Sequence, residues 1–233
     1  MLALPWGISK DVLPACQDQE KKLRRKGLAE SRIIRSPDQP KTGSDKGEEA
    51  IYSKKSMQVG AGLMDLPKVW KTDDGTVLTL RRLGESDTQN LIAFVKGLSV
   101  SARYFRFGQG DYDPGLDDAL RVCRLDQEQG LHLIVVTPKD AGETVVGSAR
   151  YVIQPDRISC EFVIVVADKW NHHGVGHQLM SALLTRAKSQ SLRKMYGRIL
   201  ASNRDMIEFV RGCGFEISDS SEGHWLKIAS INL

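Results

Sequence analysis

Cysteine is sparse in this 233-residue chain: there are four, Cys16, Cys123, Cys160 and Cys213, and no two form a CxxC pair. That spacing excludes a zinc ribbon and a dithiol redox motif and suits reduced thiols in a cytoplasmic setting. Long apolar runs are also missing. The longest, "FVIVVA" at residues 162–167, falls far short of the roughly 20 residues a bilayer-crossing helix needs, so no membrane partner is expected. Aromatic residues make up 6% of the chain, and none interrupts the basic run "KKLRRK" at residues 21–26. Without rings to stack on bases, that run argues against nucleic-acid binding.

A strong net charge is lacking as well, once charge is read by position. Residues 1–71 carry 14 Lys and Arg against 9 Asp and Glu, while the remainder carries 19 against 20. The basic character therefore belongs to the N-terminal segment, and a basic tail reads as a solvated arm. Between Gln17 and Gly62 the composition is mostly Lys, Glu, Asp, Ser, Gln, Gly and Pro, with scattered apolar residues. Such a segment buries too little apolar surface to offset its chain entropy. Residues 1–70 are expected to form a disordered basic extension, and residues 71–233 one folded domain.

Within that domain the pattern is mixed α/β. Strand-like stretches are "TVLTLRRL" (76–83), "LHLIVVTP" (131–138), "TVVGSARYVIQ" (144–154), "SCEFVIVVA" (159–167), "KMYGRILA" (194–201) and "HWLKIAS" (224–230). Ser86-Asp87 signals a helix start, followed by Leu91, Ile92, Phe94 and Val95 on one face, and a second helix is expected over 116–125. In residues 174–190, Val175, Leu179, Leu183 and Ala187 recur every four positions, as on one helix face. Residues 202–215 read as a short helix capped by Ser202 or Asn203. The run "SCEFVIVVA" is almost wholly apolar, as befits a central strand covered on both faces.

That strand leads into "ADKWNHHGVG" (167–176), which opens directly into a helix and holds His172 and His173, with His177 just beyond. A helix N-terminus presents unpaired N–H groups and the positive end of its dipole, which together suit an anion such as a pyrophosphate. Gly174 and Gly176 let backbone approach a bulky ligand without a Cβ in the way. The histidines admit a second reading, because His173 and His177 are four apart and would share a helix face as metal ligands do. No Glu follows His173 as in HExxH, and no third acidic or sulfur ligand lies near. No metal is expected, and the histidines are read as lining or rimming the phosphate cradle.

The stretch "CEFVIVVADKWNHHGVGHQLM", followed by "ILASNRDMIEFVRGCGF", resembles the acetyl-CoA motif of the GNAT (Gcn5-related N-acetyltransferase) family. With "LSVSARYFRF" (98–107), it is most similar to the GNAT domain of bacterial protein-lysine acetyltransferases. The resemblance covers roughly residues 76–233 and implies a GNAT fold, a mixed central β-sheet flanked by helices. Acetyl-CoA is then the acyl donor, and a protein lysine or a small amine the acceptor. Asn171 stands where the family usually has Gln or Arg, and His172 where many members have Gly. By the same resemblance, amides from His172 through His173, Gly174, Val175 and Gly176 to His177 hold the pyrophosphate. Ile164 and Val166 offer main-chain groups to the pantetheine arm, with Asn203 beside it.

Transfer to an amine needs a neutral nitrogen, whereas a lysine has a pKa of about 10.4, so a general base must take its proton. Glu161, the only acid in the apolar run 158–167, is the candidate, since a carboxylate in apolar surroundings has a raised pKa. The alternative is a strand residue ion-paired with Arg150. The Val166 N–H is a candidate to stabilise developing oxyanion charge. The position at which many family members place a thiolate-protonating Tyr is Val210. On the substrate side stand Arg103, Tyr104, Arg106 and Phe107, or else the rings are core and the arginines a solvated face. A non-catalytic acyl-CoA sensor is the reading of a different class, and the presence of Glu161 speaks for the enzyme.

Overall fold

In a computed structural model of the protein, residues 66–124, 128–140 and 142–233 are described. The expected disordered extension lies, up to residue 65, outside them. Eight strands form one sheet: β1 (Lys68–Lys71), β2 (Val77–Arg82), β3 (Gly130–Lys139), β4 (Gly142–Ile153), β5 (Ser159–Val166), β6 (Lys194–Leu200), β7 (Glu216–Ser220) and β8 (Gly223–Asn232). Among the described residues five α-helices accompany them: α1 (Thr88–Gly97), α2 (Val100–Phe107), α3 (Leu116–Cys123), α4 (Val175–Ser189) and α5 (Arg204–Gly212). The strand order is β1-β2-β3-β4-β5-β6-β8-β7. Every neighbouring pair is antiparallel except β5 and β6, which run parallel. The mixed sheet flanked by helices that the sequence implies is thus the fold observed.

Strand alternation gives the sheet two apolar faces, and helices cover both. On one face Leu80, Leu133, Tyr151 and Phe162 pack with Leu179 and Leu183 of α4 and with Val210 of α5. On the other, Ile134, Val136 and Val145 meet Leu91, Phe94 and Val95 of α1 and Ala119 and Val122 of α3. The four-residue recurrence in α4 is its buried stripe: Val175, Leu179, Leu183 and Ala187 have no solvent exposure.

Two elements carry no clear pattern in the sequence. The stretch around residues 98–110 contains α2, a two-turn helix. The Ser99 hydroxyl accepts the Ala102 N–H at 3.1 Å to start it, and Gly108, in the left-handed region at φ 78°, ends it. It buries Arg106 alongside Phe107, so its apolar periodicity is broken by a cation. The polar edge strand β7 is likewise unannounced, because most of its side chains are partly or fully exposed. At the N-terminal boundary, β1 pairs with β2 from Lys68 onward, and Leu66 and Trp70 pack on the core. Asp87, at the expected helix start, leaves the α1 amides alone. Its carboxylate instead accepts two hydrogen bonds from Arg81, each 2.8 Å, and one from the Gly84 N–H.

The feature that shapes the site is where β5 and β6 stop pairing. Their register covers only Ser159, Cys160 and Glu161 against Lys194, Met195 and Tyr196, although both strands run on. The next residues along the two strands are Phe162 and Gly197. A Cβ added to Gly197 would stand 2.6 Å from Cε1 and Cζ of the Phe162 ring. The ring also meets Phe215, centroid to centroid 5.0 Å. A large ring against bare backbone thus sits where the two strands part.

Gly197→Ala should therefore destabilise the protein by about 1–3 kcal/mol through overpacking, read by urea denaturation. Phe162→Leu in the same chain should remove part of that cost; additive effects would contradict the wedge. We propose residues 66–233 as the folding unit. A chain beginning at Leu66 should unfold cooperatively at the midpoint of the full chain, and a lower midpoint would put earlier residues into the fold.

Candidate active site

A cleft of about 1510 Å³ opens where the two strands part. Its walls are the unpaired half of β5, the loop before α4, the start of α5, the β1–β2 turn and α2. Antiparallel strands give alternate residues' N–H and C=O groups to one neighbour. The Ala167 N–H, just past the end of β5, donates to the Val146 carbonyl of β4, 2.9 Å away. The regular β4–β5 register then turns the main-chain groups of Val166 and Ile164 the other way, into the cleft.

After the single 3-10 turn Asp168–Trp170, the loop passes through His172 at φ 65° and Gly174 at φ 76° before α4 begins at Val175. Left-handed backbone is the reason for glycine at 174, where an added Cβ would meet nothing within 4 Å. Histidine is among the few other residue types that accept this region at modest cost. Gly176 has a different purpose from the ligand approach the sequence suggests. A Cβ there would stand 3.2 Å from the Phe209 ring, so the residue lets α5 pack against α4. The first amide to reach back along the helix is that of Gln178, 3.0 Å from the Gly174 carbonyl. The amides of Val175, Gly176 and His177 precede it and have no carbonyl of their own helix to bond.

The structure separates the histidines. His173 precedes the helix, so it shares no helix face with His177, which corrects the spacing argument. Its Nδ1 lies 2.9 Å from the Asn171 carbonyl oxygen and its ring meets Trp170 edge-on, whereas His177 meets the Phe209 ring. Among the described residues no group of three His, Cys, Asp or Glu could hold a metal ion. Asn171, His172, His173, Gly174, Gly176, His177 and Asn203 all line the cleft. Asn203 also caps α5, its Oδ1 accepting the Met206 N–H at 3.2 Å.

Glu161 occupies the last paired position of the strand fork and lines the cleft with its side chain 29% exposed. Burial pushes its pKa up; the guanidinium groups of Arg198, Arg150 and Arg106 pull it down, Glu222 adds to the rise, and the balance is upward. Its nearest cation is Arg198 of β6, Nε to Oε1 3.8 Å, rather than the Arg150 that the sequence suggests. Arg150 stands opposite Val163 while Glu161 stands opposite Val152, a diagonal neighbour on the same face. At 3.8 Å the ion pair is too long for a hydrogen bond, which leaves the carboxylate oxygens available.

Of the substrate-side candidates, Arg106 lines the cleft, whereas Arg103 and Tyr104 do not. Phe107 is buried and stacks on Tyr112. Val210, the position matching the family's tyrosine, is fully buried in the core. Sequence reasoning missed Asp168, whose carboxylate accepts the Ser99 N–H at 3.1 Å and the Ser99 hydroxyl at 2.7 Å. That contact ties the start of α2 to the loop before α4 across 69 residues of chain, a separation no local pattern reveals.

Known proteins resemble this chain in sequence and fold. The acetyltransferase (GNAT) family model matches residues 89–215. An acetyltransferase of Pseudomonas aeruginosa is 30% identical over 145 residues, covering 61% of this chain and 77% of that protein. An L-methionine sulfoximine/L-methionine sulfone acetyltransferase of Pseudomonas aeruginosa is 32% identical over 115 residues, 45% of this chain and 66% of that protein. Among solved structures, the GNAT domain of S. lividans PAT superposes with a TM-score of 0.64 at 18% identity, covering 72% of this chain and 97% of that one. The acetyltransferase yncA of Salmonella typhimurium, solved with its cofactor acetyl-CoA, superposes with a TM-score of 0.52 at 20% identity, over 67% and 92% of the two chains. With the fold, the forked sheet and the family match in agreement, the chain belongs to the GNAT family and is an acetyl-CoA-dependent N-acetyltransferase.

Proposed function

We propose that the chain acetylates a primary amine by direct attack of the amine on the donor thioester, with Glu161 as general base. The observation that carries this reading is the Glu161 carboxylate at the base of the strand fork, raised in pKa by burial and open to the cleft. Acetyl-CoA supplies the activated acyl group. The amides of Val175, Gly176 and His177 receive its pyrophosphate, aided by the α4 dipole. Main-chain groups of Ile164 and Val166 take the pantetheine arm, with Asn203 beside it. The Val166 N–H faces the carbonyl oxygen, where negative charge grows. A C–N bond forms and the C–S bond breaks. The amine's proton passes to Glu161 and on to solvent, and the departing thiolate takes a proton from water, because Val210 offers none.

The resemblance to protein-lysine acetyltransferases points to a lysine side chain of a protein as acceptor. A small amine is the second reading, favoured by a specific observation: two buried guanidinium groups, Arg106 and Arg150, line the cleft beside Glu161. A non-catalytic sensor would have no need of that carboxylate. The free thiols of Cys123, Cys160 and Cys213 support a cytoplasmic setting.

Glu161→Gln keeps size and hydrogen bonding but cannot accept a proton. We expect a loss of roughly 10²–10⁴-fold in kcat, with acetyl-CoA affinity within a few-fold of wild type. Only the carboxylate accepts a proton, so wild-type turnover should fall as pH drops through a Glu161 pKa above the ordinary carboxylate range. That limb should vanish in the variant, and part of the lost rate should return at high pH, where more amine is neutral. Wild-type turnover by Glu161→Gln would place the base elsewhere. For the cradle, thermal stabilisation by acetyl-CoA should survive a chelator and disappear in Gly174→Glu, which strains the left-handed backbone and sets a carboxylate against the pyrophosphate. Loss of stabilisation on chelation would contradict the metal-free cradle.

A further inference from the structure

We infer that Arg106, with Arg150 behind it, forms a carboxylate subsite at the Glu161 end of the cleft, so that the acceptor is a small amine carrying its own carboxylate. The inference rests on the reading that the acceptor enters beside Glu161, and it narrows that acceptor to amino-acid-like molecules.

Two buried cations line the cleft that Glu161 also lines. Arg106 is 8% exposed and Arg150 4%, and both line the cleft. Among the described residues, Nη1 of Arg106 is buried without a hydrogen-bond partner; the guanidinium carbon lies 4.8 Å from the centroid of the Phe107 ring. Burial and the like charge of Arg150 both disfavour the Arg106 guanidinium, and Glu161 offsets part of that. Glu161 has Arg198 as its nearest cation. His132, opposite Arg150 in the sheet, adds no positive charge, because burial and the two arginines hold its pKa well below the usual imidazole range.

Among the described residues no carboxylate forms an ion pair with Arg106. Leaving a charge buried without a partner costs several kcal/mol, and a guanidinium stays protonated at neutral pH. A ligand that brings the missing anion removes that cost. The planar, forked donor of arginine matches a carboxylate, which can accept two parallel hydrogen bonds. The donor's pyrophosphate is not that anion, since its cradle is at the α4 N-terminus, along the cleft past the open half of β5. Arg106 and Glu161 line the same cleft, so an anion at the first and an amine at the second can belong to one compact molecule. A lysine within a protein has no carboxylate so close to its ε-amine. Polyamines would meet like charge.

The test compares free L-amino acids, L-methionine sulfone among them, with the corresponding amino-acid carboxamides, and with spermidine and an internal-lysine peptide. Thiol release by the full chain with acetyl-CoA is the readout. The acids should exceed their carboxamides in kcat/KM by about 10²-fold, in line with a charge-assisted bidentate contact. Arg106→Gln should collapse that preference to within a few-fold, mainly through KM for the acid, while Arg106→Lys keeps part of it. Equal use of acids and carboxamides, preference for spermidine or the peptide, or uniform loss across all acceptors in Arg106→Gln would overturn the subsite. If Arg106→Gln fails to fold, judged by loss of acetyl-CoA stabilisation, the wild-type comparison of acid with carboxamide decides alone. Calorimetric binding of the acid to Glu161→Gln in the presence of coenzyme A separates the two claims. Retained binding with wild-type turnover sinks the base and spares the subsite, whereas absent binding sinks the subsite.

Discussion

The parting of β5 from β6 is the constraint on which the rest of the site depends. Main-chain groups in a central strand are normally consumed by both neighbours, and a buried strand whose groups are left over is costly. Here the Phe162 ring, lodged against the bare backbone of Gly197, coincides with the end of pairing after Glu161. On its far side β5 stays fully zipped to β4, so the strand is rigid where it is open. One aromatic ring facing one glycine thus yields a cleft, a row of backbone partners for an amide-bearing ligand and a fixed place for a carboxylate at its base.

The cleft is electrically two-ended. At one end the amides at the start of α4 and the left-handed turn at Gly174 present positive potential from backbone alone. At the other end the charges are side chains, three arginines around Glu161. The two ends are held in register by rigid parts: β5 itself, and the Ser99–Asp168 contact that fastens the wall bearing Arg106 to the loop before α4. Burial raises the Glu161 pKa while the arginines hold the rise in check.

Much of this was legible in the sequence where periodicity and local chemistry coincide. The apolar run of β5, the four-residue stripe of α4 and the Asn203 cap of α5 depend on neighbours in sequence. Helix α2 was not legible, because its inward face carries Arg106 and so breaks the apolar period; β7 was not, because an exposed edge strand needs no pattern. Gly176 was legible as a glycine but not in its purpose, since Phe209 lies 33 residues further along the chain. The pairing of His173 with His177 failed for a local reason: the helix begins at Val175, two residues after His173, too late for both to lie on it. The partner of Glu161 was misjudged because the parallel register with β6, set by long-range packing, brings in Arg198 from a strand that the local β4–β5 hairpin does not announce.

The central claim is that Ile164 and Val166 hold free main-chain groups toward the cleft which acetyl-CoA engages, and residue-resolved amide hydrogen exchange tests it most directly. In the free protein, the N–H groups of Val163 and Val165, bonded to β4, should be protected, while those of Ile164 and Val166 exchange far faster. Saturating acetyl-CoA should slow Ile164, Val166 and the amides of Val175, Gly176 and His177 together. If Ile164 and Val166 are already protected without ligand, or stay fast when acetyl-CoA is bound, the account of the fork is wrong.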